Sequence, residues 1–372
     1  MKASNIKKSI VTGLVAVSIM TVINPTEVYA APQSDTYIES WGSEQKELVK
    51  YAVAKNNNQP VPLIMDLDMS GDTDDLIAMR IAETYDNEGL VDLKGVMLSE
   101  NNSDNLASQA ACGICDYYGF DDVSIGYTRA LILEEESRYP YWNILAREAE
   151  PQKHSIGLAV NQYRKILANS PDHSVGIVIT GYFDNISDLL KYGPDDYSPL
   201  TGVKLVAQKV KFFDVCGVGK GYSDKNYKAG FENNTCFYGT THAGNFYRLI
   251  RQTGVPVYQY NENGHLAGTI LVGGFKSLKD GDLVLECFKK VGRQHTGGPG
   301  WDAIATWALL PIIDGQFENY GINIQPYSVT ETGSDDGYFE SRPADENNPA
   351  NVEIMDMTFD VNTYYALIED AY

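Results

Sequence analysis

Short apolar runs alternate along this chain with longer stretches that place an apolar residue every three or four positions. The runs at 61–68, 91–99, 123–127, 174–180, 211–218 and 255–260 read as strands, and the stretches at 74–85, 103–118, 155–169, 186–192 and 241–254 read as helices between them. A further helical stretch, 43–55, precedes the first strand. Alternation of this kind predicts βαβ units and hence a mostly parallel sheet. Val61, Leu63, Ile64 and Met65 in the first run, and Ile177, Val178 and Ile179 in the fourth, leave little polar face, as expected of strands covered on both sides. The expected fold class is α/β, a single-domain open, mostly parallel sheet flanked by helices. No internal repeat or linker divides it. Residues 329–352 are rich in Gly, Asp, Glu, Asn and Pro, and they read as an exposed loop before a last strand and helix.

The beginning of the chain stands apart from this pattern. Lys2, Lys7 and Lys8 lead into an apolar run at 10–23, and Val28 and Ala30 are the small residues that a signal peptidase reads. Residues 1–30 therefore read as a secretory signal peptide, which implies a secreted or extracytoplasmic protein. The run falls short of the roughly 20 residues of a membrane helix. Residues 31–60 then read as a leader and helix, and 61–372 as the domain with a C-terminal extension. Cleavage would leave 372 − 30 = 342 residues, enough for one large core. The formal charge of −21 would become −23 on loss of three Lys and one Glu. So acidic a surface argues against nucleic acid or an anionic membrane as partner, and leaves homo-oligomerisation open. Cys112 and Cys115 have C-x-x-C spacing inside a helical stretch and read as small core residues; no Cys/His grouping has zinc spacing.

The chemistry concentrates where the first strand ends. Asp66, Asp68, Asp72, Asp74 and Asp75 lie in a turn between a buried strand and a helix. In an open parallel sheet such a turn sits at the carboxyl edge, where ligands bind. Carboxylates this dense repel one another unless a cation or a proton sits among them. Oxygen donors alone suit calcium or magnesium rather than zinc. Helix capping accounts for Asp74 and Asp75 but not for Asp66 and Asp68 on an apolar strand.

The segment from Asp66 to Asp75, DLDMSGDTDD, resembles the N-terminal signature of the inosine-uridine nucleoside hydrolase family. It matches without gaps a divergent bacterial branch that reads D-T-D-M-G-N-D-V-D-D. The resemblance implies a nucleoside-hydrolase-like fold and a Ca2+ ion. By position, Asp68 would be catalytic base and calcium ligand, Asp75 a second ligand, and Asp74 a contact to sugar hydroxyls. Later segments follow in order. Arg293 through Trp301 and Asp302 resembles the family's late Trp-Asp motif, implying Asp302 as a third ligand and sugar contact. Asn101, after the second strand, resembles the asparagine that faces substrate. Thr180 to Asn185 resembles a turn that offers calcium a carbonyl, here that of Asp184. Glu232 and Asn234 have the spacing of a sugar-gripping E-x-N. Trp301 resembles the tryptophan with which purine-preferring members stack on the base.

What the resemblance implies is hydrolysis of an N-glycosidic bond, in a ribonucleoside or related small-molecule glycoside. A metal-activated water would attack, with Asp68 taking its proton. Ser70 and Gly71 depart from the branch, which bears on the identity of the substrate. The aromatic cluster Tyr139, Tyr141 and Trp142 could wall the base or simply pack on the fold, and His265 and His295 are the available acids. Two other readings compete. Asp66 and Asp68 also resemble the D-x-D opening of haloacid-dehalogenase-type phosphatases, with Asp66 as nucleophile, although Ile312-Ile-Asp-Gly-Gln supplies no late acidic pair. The chain could also bind a nucleoside or sugar without cleaving it.

Overall fold

The computed structural model describes residues 35–129, 132–216, 240–260, 270–274, 277–331 and 339–372. A long helix, Asp35–Lys55, leads into β1 (Val61–Leu67). The order then runs through helix Asp74–Asn87, β2 (Val91–Leu98), helix Leu106–Tyr118, β3 (Ser124–Tyr127), β4 (Ser155–Leu158), helix Ala159–Asn169 and β5 (Val175–Ile179). Helices Asp184–Lys191 and Gly202–Lys209 follow, then β6 (Val210–Val215), helix Thr240–Ile250 and β7 (Val257–Tyr260). A small ribbon pairs β8 (Leu271–Val272) with β9 (Gly298–Pro299) around helix Leu283–Lys290. Helix Trp301–Asp314, β10 (Ile322–Glu331), β11 (Phe339–Pro343), β12 (Val352–Met357) and helix Val361–Glu369 complete the chain.

The main sheet has ten strands in the order β11-β10-β12-β7-β6-β5-β1-β2-β3-β4. Every pairing from β12 to β4 is parallel, and β10 is antiparallel to both its neighbours. Both faces are covered. Leu63, Met65 and Leu67 of β1 face a core shared with helices Asp74–Asn87 and Trp301–Asp314, while Ile64 faces a second core with Tyr163, Phe183 and Phe246. The strand thus alternates between two apolar layers, which explains why it reads as one apolar run. No described helix is long and apolar enough to cross a membrane, and residues 1–30 lie outside the described residues.

Two expectations need correction. The segment 329–352 is not simply an exposed loop: β10 reaches Glu331 and β11 pairs back onto it, extending the sheet beyond β12. Val329 and Ser328 are fully buried there, and the Arg251 guanidinium donates to the Ser328 hydroxyl and the Val329 carbonyl, both at 2.9 Å. Pro326 and the polar residues of a strand on the sheet's flank hid the signal. Secondly, 155–158 is not the start of a helix but the edge strand β4. Gly157 pairs with Gly126 of β3, and the helix begins only at Ala159. Cys112 and Cys115 are buried free thiols in helix Leu106–Tyr118, and burial pushes the Cys112 thiol up to about 12.

Candidate metal centre and active site

The carboxyl ends of β1, β2, β3, β5 and β6 point the same way, and the polar residues that follow them meet at one edge. Between β1 and β5 the order of connection reverses, so this is the topological switch point where a crevice opens. Asp66 belongs to the scaffold rather than the crevice. Its carboxylate accepts from the Tyr163 hydroxyl at 2.8 Å and from Asn185 Nδ2 at 3.0 Å, and its carbonyl accepts the Thr180 and Gly181 amides, each at 2.9 Å. Gly181 has to be a glycine, because a Cβ there would lie 2.6 Å from the Leu67 carbonyl carbon and 2.8 Å from the Asp68 nitrogen. A fully enclosed Asp66 with both oxygens engaged is poorly placed as a phosphatase nucleophile.

Asp68 emerges half-buried one residue beyond β1. The turn that follows is bent sharply: Met69 has φ +49° and Gly71 φ +70°. A left-handed methionine is uncommon and must be held. The segment 138–142 does this. Trp142 Nε1 donates to the Met69 carbonyl at 2.6 Å, and the Arg138 carbonyl accepts the Gly71 amide at 3.0 Å. Tyr139 stacks on Trp142 with ring centroids 4.5 Å apart. Both Tyr141 and Trp142 are fully buried, so this cluster is a clamp on the acidic turn and not a surface patch.

Helix Asp74–Asn87 then starts with two buried aspartates, and helix Trp301–Asp314 meets it from the far end of the sequence. The Asp302 amide donates to Asp74 Oδ2 at 3.2 Å. Asp68, Asp75 and Asp302 each place a carboxylate oxygen within 4.8 Å of the others, and Asp72, Asp74 and Asp75 form a second such group. Gly298 of β9 lets the late motif approach this closely, since a Cβ there would lie 3.1 Å from Thr73 Oγ1.

The electrostatics follow from burial without countercharge. Desolvation, then Asp75, Glu100 and Asp72, hold Asp68 well above the usual carboxylate range. Desolvation, then Asp74, Asp75 and Asp68, do the same to Asp302. Burial raises Asp75 to about 7 against the partial relief of a hydrogen bond with Asp302. Glu100, fully buried after β2, is likewise pushed by burial to about 7; Tyr182 and Arg138, the latter 4.0 Å away, offset this in part. An all-oxygen donor set with so little positive charge fits a hard divalent cation such as calcium.

The other residues singled out from the sequence fall as follows. Asn101 is buried beside Glu100, and its Nδ2 donates to Asn105 Oδ1 at 2.9 Å, leaving its Oδ1 without a partner. Asp184 begins helix Asp184–Lys191; its carboxylate accepts from the Thr128 hydroxyl and takes no place in either carboxylate group. Burial raises Asp184 to about 7. Trp301 is half-buried, packed against the core beside Asp302. His295 is exposed. Glu232, Asn234 and His265 lie outside the described residues.

Sequence reasoning missed two residues at this edge, Glu100 and Cys216, and left Tyr141 open between a wall for the base and packing on the fold. Glu100 immediately precedes the asparagine it favoured, and a carboxylate at a strand's carboxyl end was the available signal. Cys216 gave none. Cys216 follows β6, its sulfur 2.8 Å from the Tyr260 hydroxyl and on the same side of the sheet edge as Asp302.

No protein-family profile and no curated protein matches the sequence. Solved structures do resemble the fold. The type III effector protein XopQ, complexed with adenosine diphosphate ribose, is 16% identical with a TM-score of 0.60, over 89% of this chain and 96% of that one. A plant nucleoside hydrolase is 14% identical with a TM-score of 0.55, over 84% and 98%. The inosine-uridine preferring nucleoside hydrolase of Bacillus anthracis is 13% identical with a TM-score of 0.53, over 83% and 99%. At this identity the likeness establishes a nucleoside-hydrolase-like α/β fold.

Proposed function

We propose that the protein is a secreted, calcium-dependent hydrolase of N-glycosidic bonds that acts on ribonucleosides, purine ones foremost. The observation that carries this reading is the meeting of Asp302 with Asp68 and Asp75, from opposite ends of the sequence, at the switch point of a nucleoside-hydrolase-like sheet. When bound, calcium supplies positive charge and Lewis acidity at these three carboxylates.

The chain's own groups do the rest. Asp68 is the least buried of the three and so the one that water can reach, which suits it to accept the proton of the attacking water. Asp74, steadied by the Asp302 amide, presents its other oxygen to a sugar hydroxyl. Asn101 offers the acceptor that its bond to Asn105 leaves unused. A sugar that develops positive charge as its base departs is stabilised by the surrounding carboxylates. Trp301 offers the base an aromatic face. Holding the sugar through Asp74 and Asn101 would make attack effectively intramolecular.

The test is release of free base from inosine, adenosine and uridine by full-length processed protein, with calcium and with chelator. Calcium-dependent release, fastest from the purine nucleosides, is expected, and Asp68→Ala should lower it by at least about 100-fold. No release from any nucleoside by folded, calcium-loaded protein would remove the reading. Export is tested by the N-terminal sequence of protein recovered outside the cell, which should begin at Ala31. The ADP-ribose bound to XopQ supports a second reading, in which this chain holds an adenosine-containing ligand without cleaving it. Binding of ADP-ribose with no product over many hours would favour it.

A further inference from the structure

One ion does not neutralise this edge of the sheet. The two carboxylate groups share Asp75, so Asp68, Asp72, Asp74, Asp75 and Asp302 crowd together. Five carboxylates around one divalent ion leave a formal charge of −3 where Asp74 and Asp75 are wholly buried and Asp302 nearly so. The fold adds Glu100 to the same region. Arg138 is drawn to that glutamate at 4.0 Å and is itself half-exposed. Buried charge of one sign requires more countercharge than this.

A second observation points to the same place from the other side. Tyr141 is fully buried, yet its hydroxyl has no hydrogen-bond partner. A buried phenol ordinarily finds one. The bonds of Trp142 to Met69 and of Arg138 to Gly71 press its segment against the acidic turn. The charges that bear on the Tyr141 phenol are, in order, those of Asp75, Asp72 and Asp68. The orphaned hydroxyl thus belongs to a segment pinned to the acidic turn at Met69 and Gly71, and Asp75 is the first of the charges that act on it.

We propose that Asp72, Asp74 and Asp75, together with the Tyr141 hydroxyl, form a second divalent-cation position that shares Asp75 with the first. The inference rests on reading Asp68, Asp75 and Asp302 as a metal centre. Its donors are all oxygen, which suits calcium or magnesium. One carboxylate has two oxygens and can bridge two ions, as in two-metal sites with ions about 3.5–4 Å apart. Asp74 accepts the Asp302 amide at one oxygen, and its other would serve this ion beside Asp72 as well as the sugar hydroxyl assigned to it above. Two divalent ions reduce the formal charge of the five carboxylates to −1.

The experiment is calcium titration of chelator-stripped, full-length processed protein, read by calorimetry and by native mass spectrometry. The wild type is expected to bind two ions, and Asp72→Asn one. Tyr141→Phe is expected to bind two, the weaker by about 10-fold less. A wild type that saturates with a single ion overturns the second position and leaves the hydrolase reading standing. No bound ion at all removes both. An Asp72→Asn protein that still takes two ions overturns it, and unchanged affinities in Tyr141→Phe remove the phenol from the site. Because wild-type stoichiometry decides the main claim, a variant that fails to fold does not shield it.

Discussion

Two buried charged regions of this molecule are built on opposite plans. On one face of the sheet, Arg164 is fully enclosed. It donates to both oxygens of Asp195 at 2.7 and 2.8 Å and to the Ser198 and Leu200 carbonyls at 3.0 Å, with Tyr192 against its plane at 5.3 Å. At the carboxyl edge of β1, five carboxylates meet with a phenol and a thiol nearby, and among the described residues no ion pair reaches any of the five; the nearby buried Arg293 Nη1, beside Gly298, is itself without a partner. A charge buried for structure is surrounded by its complement. A charge buried with more of its own sign waits for something from outside. The same chemical test, partner or no partner, separates scaffold from site within one sheet: Asp66 is satisfied by Tyr163 and Asn185, while Asp68, two residues on, is not.

The contrast breaks most visibly with pH. In metal-free protein, Asp75, Glu100 and Asp184 have pKa values near 7 when folded, against ordinary values near 4 when unfolded. Their folded pKa is raised, so their contribution to stability is fully present below about pH 4 and is lost as the pH rises through about 7. Denaturant titrations of chelated protein should lose several kcal/mol across that interval, and saturating calcium should restore most of it at the upper end. A metal-free stability that rises from pH 5 to 7 would mean the cluster is already compensated. Next in size is Arg164→Met, which leaves the Ser198 and Leu200 carbonyls without their donor and takes the guanidinium from Asp195, which keeps the Tyr197 and Ser198 amides. It should destabilise by about 3 kcal/mol and leave calcium affinity unchanged, both read on the same sample.

Asp75→Asn should act in the reverse sense. By removing one repelling charge it stabilises the chelated fold by roughly 2 kcal/mol, and it abolishes the gain from added calcium. A metal-free melting temperature below that of wild type would contradict this. The smallest effect belongs to Trp142→Phe, which keeps the packing and removes the bond to the Met69 carbonyl. A loss of about 1 kcal/mol is expected, with calcium affinity down by a few-fold because the turn is less firmly shaped. Unaltered calcium binding would show that the clamp serves stability alone.

Much of the parallel sheet was legible because each strand carries an apolar run with a helix-period stretch after it, and both signals are local. The acidic turn was legible for a different reason: aspartates on a strand that otherwise excludes charge have no structural excuse. What stayed hidden depends on tertiary placement. Tyr141 and Trp142 form an aromatic cluster whether they coat a surface or clamp a turn, and only the bond from Trp142 to Met69 distinguishes the two. Glu100 beside Asn101 is one polar residue among several after a strand, and only its burial sets it apart. β4 and β10 failed by composition, one through Gly157 and the other through Pro326, because the flanks of a sheet tolerate residues that its centre rejects. Helices Gly202–Lys209 and Leu283–Lys290 were too short to stand out.

The hydrogen bond from the Asp302 amide to Asp74 spans 228 positions of sequence. A contact so remote closes late, since loops of that length must be brought together before it can form. The early carboxylates therefore stay incomplete as a binding site until the last third of the polypeptide has docked. An ion held tightly at Asp75 would mark a chain that has finished folding, and its stabilising effect would fall wholly on that finished state and not on the partial ones before it.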